Sequence, residues 1–368
     1  MKQKHIVIDA RIRRASTGRP VDRLLEYLPN LDTENRYTIL IEPSDDWKPP
    51  SRKFKTATCK YRQFSFNPLQ QLAYSWQLYK LRPDLVHFTL TGQQPLFYFG
   101  KQVTFTHDLT MLKYVRAGRL PEWLHKIRMR GYRLLLWQGH KKAMKIFVPT
   151  EYVRDAVTKY HLFTGRKVVV TLEASEPPLP GRAQPPEVAP EEFIMYVGSA
   201  FPHKNLDRLI EAFEVLKEHH PNLKLVLVGK MEYHAKQLRR WAKKRLYADD
   251  VVFTGFVPDE QLKWLYTHAV AYLFPSLSEG FGLPGLEAMV HGCPVVSSNA
   301  TCLPEVYGDA AVYFDPENIT DMAEKINQVL ASPKLREDLV AKGKQQASQF
   351  SWRRMAEQTV AVYREVLS

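Results

Sequence analysis

Six prolines crowd the twenty residues from Glu173 to Glu192: Pro177, Pro178, Pro180, Pro185, Pro186 and Pro190. Proline fixes φ and removes a backbone donor, so this run sustains neither a helix nor a central strand. It divides a chain of 368 residues, long enough for two domains with ample core. On both sides, short apolar runs alternate with helical spacing. Before the prolines, His5 to Asp9, Tyr37 to Glu42, Asp84 to Phe88, Val103 to His107, Lys145 to Val148 and Lys167 to Thr171 read as strands. Helical patterns start near Pro20, run from Pro68 to Leu81 and from Pro121 to Lys142, and start again at Glu151. After the prolines the alternation restarts with strands at Phe193 to Gly198, Leu223 to Gly229, Val251 to Thr254, Ala269 to Pro275, Pro294 to Ser298 and Ala311 to Phe314. Helices are expected from Asn205 to Lys217, His234 to Leu246, Pro258 to His268, twice between Asn318 and Gln349, and from Ser351 to Leu367. Strand–helix alternation predicts βαβ units and mostly parallel sheets, so the fold class is α/β with two doubly wound halves. The expected domains are 1–180 and 193–350, joined by a linker over 181–192 and followed by a final helix, 351–368.

One turn in the second half carries chemistry: Ser276-Leu-Ser-Glu-Gly-Phe-Gly-Leu-Pro-Gly-Leu-Glu-Ala-Met289. Gly280 and Gly282 leave the backbone bare where a strand hands over to a helix, and Pro284 suits the first helical turn. Free amides and the positive end of the helix dipole make a seat for an anion. Glu279 and Glu287 flank that seat. A carboxylate beside a phosphate is repulsive unless hydroxyls donate to it, so the pair points to a ligand with phosphate in the middle and hydroxyls at both ends. A nucleoside diphosphate sugar has that form.

Charge is unevenly shared. Residues 1–180 carry 31 Lys+Arg against 15 Asp+Glu, and residues 181–368 carry 21 against 24. All of the net +13 therefore sits in the first half, which asks for a polyanionic neighbour: a membrane leaflet, an anionic acceptor or nucleic acid. Cys59, Cys293 and Cys302 have no metal-ligand spacing and no disulfide framework, consistent with a reducing compartment. The apolar run at the N-terminus is too short for a signal peptide, and no stretch approaches the roughly 20 apolar residues of a membrane span. The expected location is cytoplasmic, with peripheral attachment to the inner face of the cytoplasmic membrane as the extension of that reading.

The run Ser278-Glu-Gly-Phe-Gly-Leu-Pro-Gly-Leu-Glu287 resembles the E-x7-E motif of family-4 glycosyltransferases, which are retaining enzymes of the GT-B fold. The resemblance continues through Gly292-Cys-Pro-Val-Val-Ser-Ser298, Cys302-Leu-Pro-Glu-Val-Tyr-Gly-Asp309, His203-Lys-Asn205 and Val252-Phe-Thr-Gly-Phe-Val-Pro-Asp259. In the first half it is patchier, at Thr106-His-Asp108 and Pro149-Thr-Glu-Tyr-Val-Arg-Asp155. The ending from Phe350-Ser-Trp352 is similar to the segment that returns to the N-terminal domain. The chain looks nearest to mannosyltransferases of polysaccharide and lipopolysaccharide assembly.

That resemblance implies roles. Glu287 would accept from ribose hydroxyls and Glu279 would contact the donor sugar, while Gly280, Phe281, Gly282 and Leu283 present amides to sugar and diphosphate. Lys204, at the carboxyl end of a strand, would neutralise the leaving diphosphate. The family often adds an arginine just after the strand glycine; Ser199 stands there, and Ser199 or Asn205 would bond phosphate instead. Gly255 and Phe256 complete the donor side. His107 would touch the donor sugar at the reacting centre, and is not assigned as a general base. Gly18 lies in the first βα loop among Arg11, Arg13, Arg14 and Arg19; an anion grip and a solvated basic loop are equal readings there. In the helical pattern 121–142, Lys126 and Arg130 belong to a basic face that is either solvated or laid on an anionic leaflet.

No metal cluster and no cofactor is expected beyond the nucleotide sugar itself; Asp45-Asp46 lies in a proline-rich loop rather than after a strand. The leading reading is metal-independent retaining transfer of mannose from GDP-mannose to a glycan or lipid-linked acceptor. A UDP-hexose is the second donor, for a glucosyl, galactosyl or N-acetylglucosaminyl transferase. A sugar-nucleotide epimerase lacks identifiable acid and base groups. A nucleic-acid-binding protein would explain the charge but leaves the Glu279/Glu287 turn without a use, and no such motif is present. A non-catalytic nucleotide-sugar binder fits the missing arginine.

Overall fold

The computed structural model describes residues 3–13, 15, 17–61, 63, 65, 67–114, 121–179, 181–187 and 190–368. In chain order the first half forms β1 (His5–Asp9), α1 (Arg19–Leu31), β2 (Arg36–Ile41), β3 (Phe54–Thr58), α2 (Pro68–Leu81), β4 (Leu85–Phe88), β5 (Gln102–Phe105), α3 (Thr110–Lys113), α4 (Glu122–Lys142), β6 (Lys145–Val148), α5 (Glu151–Tyr160) and β7 (Val168–Val170). The second half forms β8 (Phe193–Val197), α6 (Leu206–Lys217), β9 (Lys224–Val228), α7 (Tyr233–Ala242), β10 (Val251–Gly255), α8 (Asp259–His268), β11 (Ala271–Phe274), α9 (Leu283–Val290), β12 (Val295–Ser298), α10 (Leu303–Tyr307), β13 (Ala311–Phe314), α11 (Ile319–Ala331), α12 (Pro333–Ala347) and α13 (Trp352–Leu367).

Contacts divide the chain into two units. One takes the described residues up to Leu109, those from 121 to Glu173, and Ser351–Ser368. The other takes 110–114 and Ala174–Phe350. The division thus falls at Glu173, ahead of residue 180, and a short segment around α3 belongs to the second unit although the expected first domain ran through it.

In the first unit a seven-stranded parallel sheet has the order β3-β2-β1-β4-β5-β6-β7. Strands covered on both faces read as near-continuous apolar runs, and β1, β4 and β5 are buried along their whole length. Right-handed crossovers place α1, which steps from β1 out to β2, on the face opposite α2 and α4, which step the other way. The packing agrees: α2 buries Tyr74 and Leu78 against Val7, Val86 and Phe88, whereas α1 packs with α13. On that second face the His87 ring bonds through Nδ1 to the Tyr363 hydroxyl at 2.6 Å, and Lys145 pairs with Glu365 at 2.7 Å. The final helix starts where the Ser351 side chain accepts from the Arg354 amide, a capping bond that supplies one of the otherwise unpartnered first amides. Asn67 caps α2 in the same way.

The second unit has a six-stranded parallel sheet of order β10-β9-β8-β11-β12-β13. The order reverses between β8 and β11, so the loops after those two strands diverge to opposite sides and leave a crevice at their carboxyl ends. Side chains cap α11 (Asn318) and α12 (Ser332). Among the described residues no helix is long and apolar enough to cross a membrane.

Candidate functional site

Two loops at that reversal carry the second unit's polar cluster. Lys204 ends the loop after β8, and Glu279 lies in the loop after β11. Lys204 Nζ donates to Glu279 Oε1 at 2.5 Å, and each side chain is about one-seventh exposed (15% and 14%). The two are in direct contact, not separated by a gap. Theirs is a charge-assisted bond between two partly buried groups. The Phe274 ring lies beneath the ammonium, 5.5 Å away.

Backbone bonds hold the loops. Leu277 N–H donates to the His203 carbonyl at 2.8 Å, and Glu279 N–H donates to Thr301 Oγ1 at 3.2 Å. Ser278 Oγ meets Thr110 Oγ1 at 2.9 Å. Gly282, with φ +103°, turns the chain into α9, and its carbonyl accepts from the Tyr307 hydroxyl at 2.6 Å. A Cβ on Gly282 would meet that hydroxyl at 2.6 Å, and one on Gly285 would lie 2.3 Å from the Tyr307 ring. Both glycines are therefore required by close approach, the first also by its backbone angle. Burial, reinforced by the nearby Glu279 charge, raises the Tyr307 pKa, so it stays a neutral donor. At the start of α9 Pro284 has no N–H and the Gly285 amide donates to the Gly282 carbonyl at 3.2 Å, so the helix offers chiefly the positive end of its dipole. Phe281 is buried edge-on against Phe350, Leu283 and Glu287 are half-buried, and Gly280 is buried.

Asn205 differs from expectation. It has φ +59°, is buried, and its amide donates to the Pro275 and Pro316 carbonyls at 3.1 and 2.7 Å. Its Oδ1 accepts from Arg208 at 2.9 Å. Every polar atom of the side chain is used to tie three loops together, so Asn205 is a brace rather than a phosphate contact. Ser199 is half-buried, and its carbonyl accepts from the Tyr196 hydroxyl at 2.9 Å. At the end of β10, Gly255 has φ +75° and leads to Phe256, which is 73% exposed.

In the first unit the basic loop after β1 is not a solvated cluster. Arg11 is buried, bonded through Nε and Nη2 to Asp9 at 2.8 and 2.5 Å and through Nη1 to the Tyr61 carbonyl at 2.7 Å. Its guanidinium lies 4.5 Å from the centre of the Tyr74 ring, whose hydroxyl completes the coordination of Asp9 at 2.7 Å. Burial opposes the Arg11 charge, but Asp9 beside it more than compensates and raises the pKa. Arg13 is held by Asp22 and Asp45 at 2.5 and 2.8 Å. Neither arginine is available as an anion grip. The Gly18 amide donates to the Ala15 carbonyl at 2.9 Å, and a Cβ there would strike the Ile12 carbonyl at 2.2 Å. Gly18 is thus a packing glycine whose N–H is already used. Arg19 is half-buried at the first position of α1, and Arg14 lies outside the described residues.

His107 follows β5, stacked on Phe105 and nearly buried. Its Nε2 faces the Thr89 carbonyl at 3.1 Å, and Nδ1 lies 3.4 Å from the Glu173 carboxylate. Glu173 was invisible in the sequence because 66 positions separate it from His107. Lys126 and Arg130 are exposed on α4. Among the described residues no group of three or more His, Cys, Asp and Glu side chains could hold a metal ion.

Residues 181–346 match the family model described as "Glycosyl transferases group 1". O-antigen chain mannosyltransferase B of Escherichia coli is 32% identical over 297 residues, which is 77% of this chain and 78% of that protein. Serotype-specific mannosyltransferase WbdA, also of Escherichia coli, is 34% identical over 181 residues, 48% of this chain but only 22% of that longer protein. Among solved structures, HepE of Anabaena, in complex with UDP and glucose, superposes with a TM-score of 0.75 over 99% of this chain and all of that one, at 16% identity. Likeness at that identity is one of fold: two Rossmann-like parallel-sheet domains of the GT-B class.

Proposed function

Because this chain belongs to the group 1 glycosyl transferases, we propose that it transfers mannose from GDP-mannose, with retention and without a metal, to a lipid-linked glycan of the O-antigen type. It is a glycosyltransferase; donor, stereochemistry and acceptor are our reading. The observation that carries it is the Lys204–Glu279 pair beside the amino end of α9.

Donor binding exchanges that one contact for two. The diphosphate takes Lys204 and the positive amino end of α9, and Glu279, released, accepts from hydroxyls of the sugar. Neither charge is left unpaired at any stage, which matters in a partly buried site. Glu287 accepts from the ribose, and Ser199, Gly255 and Phe256 border the nucleotide. The carbon–oxygen bond to the phosphate breaks while the acceptor oxygen bonds to the same face of the sugar. The acceptor proton passes to the departing phosphate oxygen. Lys204 and the positive end of the α9 dipole stabilise negative charge as it develops there, and the loops hold the reactants in line. The family resemblance gives His107 to the reacting sugar, but its two ring nitrogens face the Thr89 carbonyl and the Glu173 carboxylate, so its part there is that of a held ring rather than of a free polar contact. Mannose is favoured because the two curated relatives described above are named mannosyltransferases. A lipid-linked acceptor sets the enzyme at an anionic membrane surface, with Lys126 and Arg130 of α4 towards the headgroups.

The test is thermal stability with GDP, UDP or ADP at millimolar concentration in a chelator, followed by transfer assays. GDP should raise the melting temperature most. If none of the three does, the donor site is misassigned; if UDP is the strongest, the donor is a UDP-hexose. Glu279→Gln should abolish transfer while GDP still stabilises, and unchanged turnover would remove its role.

A further inference from the structure

Among the described residues, twelve of the nineteen exposed large apolar side chains fall in two stretches of the first unit, 69–99 and 123–144. The remaining seven are scattered in ones and threes. Monomeric proteins rarely leave such a concentration uncovered without a use for it.

The first stretch includes α2, which is apolar on two sides. Its inner stripe, Tyr74 and Leu78, is buried on the sheet. Its outer stripe, Leu69, Leu72, Trp76 and Tyr79, repeats at intervals of three and four, so these side chains lie on one line along the helix. They are 75, 50, 62 and 43% exposed. A helix that keeps a second apolar stripe uncovered departs from ordinary surface amphipathicity.

The loop at 95–99 joins that stripe to α4. On one side the Leu96 amide donates to Gln71 Oε1 at 2.8 Å, and the Tyr79 hydroxyl donates to the Phe97 carbonyl at 3.2 Å. On the other, Lys142 Nζ donates to the Leu96 and Tyr98 carbonyls at 2.6 and 3.0 Å. The same ammonium sits 4.0 Å from the centre of the Phe99 ring, which is 71% exposed. Trp123, Ile127 and Trp137 continue the apolar surface along α4.

Charge identifies the partner. Residues 68–81 and 95–99 contain no acid, and α4 contains a single one, Glu122. Lys80, Lys126, Arg128, Arg130, Arg133 and Lys141 supply the cations, and long basic side chains beside exposed aromatics suit the boundary between headgroups and acyl chains. We infer that α2, the 95–99 loop and α4 form one composite face that docks on an anionic phospholipid leaflet, with α2 and Phe99 inserting and α4 supplying the charge. This deepens the membrane-side reading of the proposed function and rests on it. The α4 helix alone was legible in the sequence; the contribution of α2 and the loop is new.

Flotation of the full chain with vesicles of phosphatidylcholine, with and without phosphatidylglycerol, tests it. The unmodified protein should float with the anionic vesicles. Trp76→Ala with Phe99→Ala should lower that binding about tenfold, given the interfacial area removed. Lys126→Gln with Arg130→Gln should lower it about 25-fold and flatten its salt dependence, since each basic residue near an anionic leaflet contributes about fivefold. Trp76, Phe99, Lys126 and Arg130 are exposed and lie outside the donor cluster, so GDP stabilisation should be unchanged in both variants. Loss of binding only in the α4 variant overturns the composite face while leaving a membrane-bound enzyme. Equal flotation without phosphatidylglycerol overturns the anionic partner. No flotation, with a dimer that the Trp76/Phe99 variant dissolves, assigns the face to a second copy and overturns the inference. No flotation from a monomer overturns it together with the membrane-side reading, and the nucleotide assay stands apart from either result.

Discussion

Acid should loosen the joint between β4 and α13, by an amount set by one histidine. His87 is fully buried with Nδ1 on the Tyr363 hydroxyl, and its Nε2 has no hydrogen-bond partner among the described residues. Burial, with a smaller contribution from His107, lowers its pKa from 6.5 to about 3. Between those values the unfolded chain takes up a proton that the folded chain refuses. Stability from this group is therefore complete above 6.5 and is lost progressively as the pH falls towards 3. At pH 5 the gap is one and a half units, and at 1.36 kcal/mol per unit the loss is about 2 kcal/mol. The assay is urea unfolding at pH 7.5 and pH 5, comparing the unmodified chain with His87→Asn, which keeps a polar atom near the Tyr363 hydroxyl but cannot titrate. Other histidines, His140 among them, contribute equally to both proteins and cancel. The variant should lose about 2 kcal/mol less between the two pH values. Equal losses would show that His87 is not a neutral buried group and would refute the reasoning.

Two further outcomes concern the loops. Arg11→Ala leaves the Asp9 carboxylate buried with the Tyr74 hydroxyl but no cation, and should cost about 3–5 kcal/mol in urea unfolding; a loss below about 1 kcal/mol would mean the pair is open to water. Gly285→Ala drives a methyl group into the buried Tyr307 ring and should cost about 1–3 kcal/mol while raising KM for the donor through the displaced Gly282 turn; an unchanged KM would separate that turn from donor binding.

The alternation of strands and helices was readable because each element is apolar at its own period, and the glycine–proline turn before α9 was readable because only those residues suit it. Other features were not local. β3 reads Phe54-Lys-Thr-Ala-Thr58, with only Phe54 buried, so an edge strand of five residues left no periodic mark. Arg11 looked like surface charge because its partners Tyr61 and Tyr74 lie at least 50 positions away. Asn205 looked like a phosphate contact because nothing in its neighbourhood announces the Pro275 and Pro316 carbonyls that consume its amide. The spacing of Glu279 and Glu287 was plain, whereas the contact of Glu279 with Lys204 spans 75 positions and needed the sheet reversal to create it.

The membership of α13 in the first unit has a consequence for synthesis. β1 leaves the ribosome well before the second unit, yet the face of the first sheet that holds α1 and His87 stays only partly covered until the second unit and then α13 have followed. Tyr363, Glu365 and the Arg364 contact with the Leu31 carbonyl arrive last. The second unit, with no such debt beyond the short segment around α3, can close while the first still waits. The part of the chain translated first is thus the part whose core is finished last, and in the interval its exposed apolar face is one that nascent-chain chaperones would recognise.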